Sequence, residues 1–280
     1  MTKKSIAFQG TFGANSNLAC QKFYPDFEAK AFSTFYDVFK AVESGEVLCG
    51  MIPLENSYAG RVSEIHDLLQ SGHVSIVAEH FFSISHNLVG TKGAKIEDVK
   101  EVLSHPQALM QCQNNLRNLK VKIGEFSNTA EAAKYVARQG DKSKAALCSK
   151  MAAELYGLEV IKENMQDSGN DNVTIFIVIS KEQADVDPKI SLVNTALLFT
   201  IRNIPGALYK ALGGFATNSV SMIKLESYIP GGASEQAKFF ISIEGHPSQK
   251  NVALALEELG FFSKSVKLLG VYYADKSRSK

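Results

Sequence analysis

The sequence predicts an α/β protein in two lobes, followed by a smaller ferredoxin-like βαββαβ module. Three observations predict it. The 280 residues exceed one ordinary core, since a domain takes about 150 residues. Hydrophobic residues make up 45% and charged residues 21%, the balance of a folded chain. Short apolar runs alternate with helical periodicities up to residue 180, and beyond residue 193 the order becomes strand, helix, strand, strand, helix, strand.

Residues 5–9 form an apolar run ending at Gly10, and Gly10-Thr11-Phe12-Gly13-Ala14-Asn15-Ser16 reads as a glycine turn into a helix. Ser33 or Thr34 caps a helix with Phe35, Val38, Phe39 and Val42 on one face, stopped by Gly45. Residues 47–54 read as a buried strand, and Val62, Ile65, Leu68 and Leu69 mark another helix. Residues 73–90, rich in β-branched and aromatic side chains, cross between the two lobes. A strand at 99–103 leads into Ser104-His105-Pro106-Gln107, which has capping-box spacing and a proline in the first turn. The helix it opens is striped by Leu109, Cys112, Leu116 and Leu119.

Asn128 or Thr129 opens a further helix, with Glu131 placed to complete the cap. Residues 145–148 are a strand, 149–156 a helix closed by Gly157, and 173–179 an apolar strand. Residues 181–192 are polar, contain Asp187-Pro188, and read as a linker. Strands follow at 196–202, 220–228, 237–244 and 265–273, with helices at 205–216 and 248–259. Leu197, Phe199 and Ile201 alternate, whereas Leu208, Leu212 and Phe215 keep helical spacing.

Thirty basic residues against 29 acidic ones leave a net charge of +1, without the basic stripe of a nucleic-acid binder. The arginines are Arg61, Arg117, Arg138, Arg202 and Arg278, so an anionic ligand would be held with little of arginine's bidentate grip. Cys20, Cys49, Cys112 and Cys148 are scattered without metal-like spacing, as small apolar residues of a reducing compartment would be. The six histidines are dispersed and give zinc no support. There is no apolar run of signal-peptide or membrane-helix length, and the expected location is the cytoplasm.

Four clusters place polar residues where a core pattern does not need them. Residues 10–16 are either a strand-to-helix turn or a cradle of backbone N–H groups for an anion. Pro53-Leu54-Glu55-Asn56-Ser57-Tyr58-Ala59-Gly60 is either a turn with a cap or the polar end of a ligand cleft. Capping suffices for residues 104–107, and Thr174 within 167–176 is by itself an ordinary strand residue.

Taken in order, these clusters resemble prephenate dehydratase, in its monofunctional form with a C-terminal ACT domain, over nearly the whole length. The matching signatures are Gly10-x-x-Gly13-Ala14-x-Ser16, Glu55-Asn56-Ser57-x-x-Gly60-x-Val62, and Ser104-His105-Pro106-Gln107-Ala108 with Gln111-Cys112. Asn128-Thr129-Ala130-x-Ala132-Ala133, Ala152-Ala153-x-x-Tyr156-Gly157-Leu158 and Asn172-x-Thr174-x-Phe176 continue the series. Pro205-Gly206-Ala207-Leu208 and Lys224-Leu225-Glu226-Ser227 match the ACT part.

The resemblance implies a two-lobed, periplasmic-binding-protein-like catalytic domain over 1–180, with lobes of about 1–80 plus 172–180 and 81–171. A linker at 181–193 and an ACT regulatory domain at 194–275 would follow. It implies conversion of prephenate to phenylpyruvate by joint loss of water and carbon dioxide, without metal, nucleotide or redox cofactor. Thr174 matches the essential threonine, Phe176 a wall for the ring, and Asn56, Ser57 and Thr129 the cleft. Ala14 and Ser16 would border the substrate, and Glu55 would orient its neighbours.

L-phenylalanine is the implied allosteric effector, bound between two ACT domains near Gly206, Ala207, Leu208, Asn218, Ser221 and Glu226. That arrangement implies a homodimer or homotetramer assembled through ACT and catalytic domains, with neither nucleic acid nor membrane as partner.

The sequence departs from the family pattern at three places. Ile175 stands where the Thr-Arg-Phe motif has arginine, Asn15 where an aromatic residue is usual, and Tyr228-Ile229 interrupts Glu-Ser-Arg-Pro, so that Pro230 comes one place late. Loss of a cation at Ile175 would favour arogenate, whose ammonium gains when a nearby positive charge is removed. The rival from another class is a non-enzymatic two-lobed ligand-binding or sensor protein.

Overall fold

The computed structural model describes residues 4–167, 172–189, 192–229 and 237–279. Asn170, Pro230 and residues 190–191 of the expected linker lie outside the described residues. In chain order the elements begin with β1 (Ser5–Gln9), α1 (Asn15–Phe23), β2 (Glu28–Phe32), α2 (Phe35–Ser44), β3 (Cys49–Asn56), β4 (Gly60–Arg61), α3 (Ser63–Ser71) and β5 (Ser75–Ser83). There follow β6 (Asn87–Gly90), β7 (Glu101–Ser104), α4 (Pro106–Gln111), α5 (Gln113–Leu119), β8 (Lys122–Glu125), α6 (Thr129–Gln139), β9 (Lys144–Cys148), α7 (Lys150–Leu155) and β10 (Glu159–Lys162). The chain continues through β11 (Val173–Ser180), β12 (Val193–Ile201), α8 (Ala207–Thr217), β13 (Met222–Tyr228), β14 (Lys238–Glu244), α9 (Lys250–Phe262) and β15 (Ser263–Tyr273).

The predicted α/β class is present. One sheet has the order β2-β1-β3-β11-β5, with β4 hairpinned onto β3, and a second has the order β10-β6-β9-β7-β8. In the second sheet β7 runs parallel to β8 and β9, while β6 is antiparallel to β9 and β10. Alternation assigns its two faces. Val89, Leu103, Ala146 and Cys148 meet Ala132, Ala133 and Val136 of α6 on one side. Leu88, Val102, Ala145 and Leu147 meet Leu109, Cys112 and Leu116 on the other.

The third sheet is antiparallel, in the order β13-β14-β12-β15. With α8 and α9 this is the ferredoxin-like module the strand–helix order predicted. Leu197, Phe199, Ile241 and Ile243 bury one face against Ala211, Phe215, Val252 and Leu259.

By contacts the chain divides into two units. One contains Met1–Val38, Met51–Val62 and Phe81–Phe176; the other contains Phe39–Gly50, Ser63–His80 and Ile177–Lys280. Within the second, α3 lies on the ferredoxin-like sheet. The fully buried His66 ring sits 5.2 Å from the rings of both Phe240 and Tyr228. Lys267 Nζ donates to the carbonyls of Leu69, Gln70 and Gly72 at 2.9, 2.8 and 2.7 Å, closing the α3 C-terminus. Buried Glu79 of β5 accepts from Asn194 Nδ2 at 3.1 Å and from Arg278 Nη2 at 2.9 Å, which ties down the C-terminal segment.

Several local expectations are corrected. Ser104 is not the cap of α4, because its hydroxyl is buried and donates to the Leu147 carbonyl at 2.7 Å. His105 is the cap, accepting from the Gln107 N–H. The single helix expected through Leu119 breaks at Cys112 into α4 and α5, although the apolar stripe stays buried in one core. Asn128 caps α6, and Glu131 contributes its backbone N–H while its carboxylate reaches Lys134. The strand expected at 47–54 runs over Cys49–Asn56. No helix among the described residues is long and apolar enough to cross a membrane.

Candidate active site

A cavity of about 420 Å³ lies within the first unit, lined by residues of three strands, β3, β4 and β11, and of three helices, α1, α4 and α6. Gly10 and Gly13, at φ of 112° and 86°, take the chain from β1 to the start of α1. Asn17 Oδ1 accepts the Gly13 N–H at 2.9 Å and holds this turn. Ala14, Asn15 and Ser16 border the cavity, and the α1 N-cap, Ala14, supplies no side-chain hydrogen bond. The first-turn amides of α1 therefore lack a side-chain acceptor from the cap position and carry the positive end of the helix dipole.

On β3, Glu55 and Asn56 face the cavity. In the short hairpin, Glu55 stands opposite Arg61 and Asn56 opposite Gly60. Arg61 is the one permanent cation among the described lining residues. From α4 come His105, Gln107 and Gln111, and from the start of α6 come Asn128 and Thr129. β11 and the residue before it supply Asn172, Thr174 and Phe176.

Amide groups organise this wall. Asn56 Oδ1 accepts from the backbone N–H of Tyr58 at 3.1 Å and of Ala59 at 3.0 Å. Its Nδ2 consequently points the other way, donating to Asn172 Oδ1 at 2.8 Å and to Thr174 Oγ1 at 3.0 Å. Because Thr174 Oγ1 accepts that bond, its own proton is turned to another partner, and the residue lines the cavity. Phe176 is 1% exposed and meets Phe82 edge-on with centroids 6.2 Å apart. Burial lowers the His86 and His105 pKa values, against smaller opposing effects from Gln111 and Glu125 respectively, which favours the neutral imidazole at both positions.

The sequence-predicted residues Ala14, Ser16, Glu55, Asn56, Thr129, Thr174 and Phe176 come together in this cavity. Ser57 does not line it. Its N–H donates to the Val173 carbonyl at 2.9 Å and its Oγ accepts the Val173 N–H at 3.0 Å, fastening β11 one residue before Thr174. Ile175 does not line it either, because strand alternation turns it away from Thr174 and Phe176. The expectation that a cation lost at Ile175 favours arogenate therefore gains no support from the cavity wall. Sequence reasoning missed Arg61, which sits at an unspecified place in the Glu55–Val62 signature, and His86, hidden in a strand-like stretch.

The residues expected to hold phenylalanine are spread over the ferredoxin-like module. Gly206, at φ of 71°, precedes α8, and Asn218 ends it; the helix has 11 residues, about 16 Å. Asn218 Nδ2 donates to the Gly214 carbonyl and to Glu258 Oε1 at 2.8 and 3.0 Å. Glu226 lies on β13 beside Lys224, at 3.0 Å. One chain does not bring these residues to a single point.

Fold and cavity together define an α/β protein with an amide-lined small-molecule site and an appended ferredoxin-like module. The family model described as prephenate dehydratase matches residues 6–184. A bifunctional N-acyl-homoserine lactone acylase/prephenate dehydratase of Komagataeibacter europaeus is 41% identical over 99% of both chains. Arogenate dehydratase 2 of Petunia hybrida is 36% identical over 96% of this chain and 72% of its own. A crystal structure of prephenate dehydratase in complex with L-Phe from Arthrobacter aurescens superposes with a TM-score of 0.87 at 27% identity, covering 96% of this chain and 90% of that one. The chain belongs to the prephenate dehydratase family.

Proposed function

We propose that this chain converts prephenate to phenylpyruvate, with Thr174 as the proton donor. The observation that carries this reading is the 3.0 Å bond from Asn56 Nδ2 to Thr174 Oγ1 at the cavity wall. The carbon–carboxylate bond breaks, its electron pair enters the ring, and the carbon–oxygen bond opposite breaks in turn. The departing hydroxide takes the Thr174 proton and leaves as water. Negative charge developing on Thr174 Oγ1 is met by the Asn56 N–H, and solvent returns the proton. Phe176 forms the apolar wall against the ring. Arg61 and the uncapped start of α1 are the cationic and dipolar partners for the carboxylates.

In the same reading residues 1–180 are catalytic, 181–193 link, and 194–275 regulate by binding L-phenylalanine. The distance between the two ends of α8 supports a phenylalanine site shared by two copies, and hence a homodimer or homotetramer. Four buried, unbridged cysteines suit a reducing compartment, the cytoplasm.

Arogenate is a second reading, favoured by the Glu55 carboxylate in the cavity wall, which suits an ammonium group. Identity of 41% to a relative named for lactone acylase activity favours including N-acyl-homoserine lactones among the substrates tested. Initial rates with prephenate and arogenate, each with and without phenylalanine and read by the carbon dioxide both reactions release, decide between these two, and hydrolysis of an N-acyl-homoserine lactone is assayed beside them. Turnover of neither would leave the sensor reading standing and refute the dehydratase.

A further inference from the structure

We propose, resting on the dehydratase reading, that His86 is a positioning residue whose Nε2–H holds Gln111 at the end of an amide relay reaching Thr174. The direction of every bond in the relay follows from its fixed end. Asn56 Oδ1 is committed to two backbone N–H groups, so Asn56 Nδ2 donates to both Asn172 Oδ1 and Thr174 Oγ1. Asn172 Oδ1 being an acceptor, Asn172 Nδ2 donates to Gln111 Oε1 at 2.8 Å. His86 Nε2 lies 2.8 Å from that same oxygen. A carbonyl oxygen has no proton to give, so the imidazole carries its proton on Nε2.

Gln111 Oε1 therefore receives two donors, one from each side, and its amide nitrogen is the end left for a ligand in the cavity that Gln111 lines. The backbone fixes both partners of the bond. Met165 N–H donates to the His86 carbonyl at 2.7 Å, Gln166 Oε1 accepts the His86 N–H at 3.1 Å, and Asp167 N–H donates to the Gln111 carbonyl at 2.8 Å. Three consecutive residues thus set the spacing between the two side chains. His86 is 4% exposed and Asn172 2% exposed, so water competes little for these groups.

Two measurements test the assignment. Nitrogen-15 NMR of the wild-type imidazole is expected to show the Nε2–H tautomer at pH 7; an Nδ1–H tautomer overturns the relay whatever the substrate. In kinetics, His86→Leu is expected to lower kcat/KM about tenfold or more, as loss of a buried bond to a working group does. His86→Gln, whose amide nitrogen can occupy the Nε2 position, is expected to stay within about threefold of wild type. In a Gln111→Leu background, His86→Leu should add less than about twofold, because its effect passes through Gln111. An equal loss in both backgrounds overturns the proposal. Should His86→Leu fail to fold, the tautomer and the His86→Gln rate decide. Wild-type protein that turns over neither prephenate nor arogenate refutes the dehydratase reading, while the tautomer still decides the relay.

Discussion

His66 Nε2 on α3 lies 3.1 Å from Glu226 Oε2 on β13, with Lys224 Nζ 3.0 Å from the other carboxylate oxygen. His66 is three residues beyond the start of α3, and α3 follows directly on Arg61 and Val62, which line the cavity. Glu226 belongs to the segment expected to respond to phenylalanine. The contact thus ties the expected effector segment to the helix that follows Val62 in the chain.

Glu226 should make stability depend on pH. Burial raises its pKa, but the His66 and Lys224 contacts outweigh this and leave it below the ordinary 4.5. A carboxylate with a depressed folded pKa stabilises fully above its unfolded value and loses that contribution as pH falls through the folded one. Glu226→Gln is therefore expected to be less stable than wild type near pH 7, with the gap closing as pH falls below the ordinary 4.5 and on through the lowered folded value. Urea midpoints across that range measure it, and a gap that does not change with pH contradicts it.

Thr174→Ala should lower kcat by about a hundredfold or more, with KM changed far less, because the hydroxyl acts on the departing group. Thr174→Ser keeps the oxygen and should retain most of the rate. Steady-state kinetics on both variants provides the check, and near-wild-type turnover by the alanine variant would remove Thr174 from the chemistry.

Arg278→Ala strips the bidentate guanidinium from Glu79, a carboxylate only 3% exposed. The bonds from Asn194 and the Asp275 N–H remain, so the expected loss is that of a charged hydrogen bond, about 1.5–3 kcal/mol. Equilibrium urea unfolding would show it. Glu79→Gln with Arg278→Ala should be more stable than Arg278→Ala alone.

Gly270→Ala is expected to cost about 3 kcal/mol or to prevent folding. A Cβ on Gly270 would overlap the Ile76 carbonyl, and all three of the nearest atoms are backbone rather than a side chain that could swing aside. Thermal unfolding is the readout, and a wild-type midpoint would show that β5 and β15 can part at little cost.

The elements that the sequence concealed share a place in the fold. β2, β8 and β10 are all outermost strands of their sheets. Their residues are mostly half-buried or exposed, so they lack the apolar run that marked β9, β11 and β12. The βαββαβ order was legible because its strands alternate cleanly and its helices bury one face. At the site, local pattern left Thr174 an ordinary strand residue, and the family resemblance of the ordered signatures pointed to it and to Asn56. His86 escaped because its role depends on Gln111, 25 residues away, and through Gln111 on Asn172. Nothing in its local pattern sets it apart from a strand residue.

The contact division bears on how the protein can be taken apart. The chain passes between the two units five times, after Val38, Gly50, Val62, His80 and Phe176. A single cut near residue 180 would leave α3 and β5 without the sheet that covers His66 and Ile76. The ferredoxin-like module is a late stretch of the sequence, yet by its contacts it is not a detachable cassette. Moving residues 194–275 onto another enzyme would transplant a sheet whose seat stays behind.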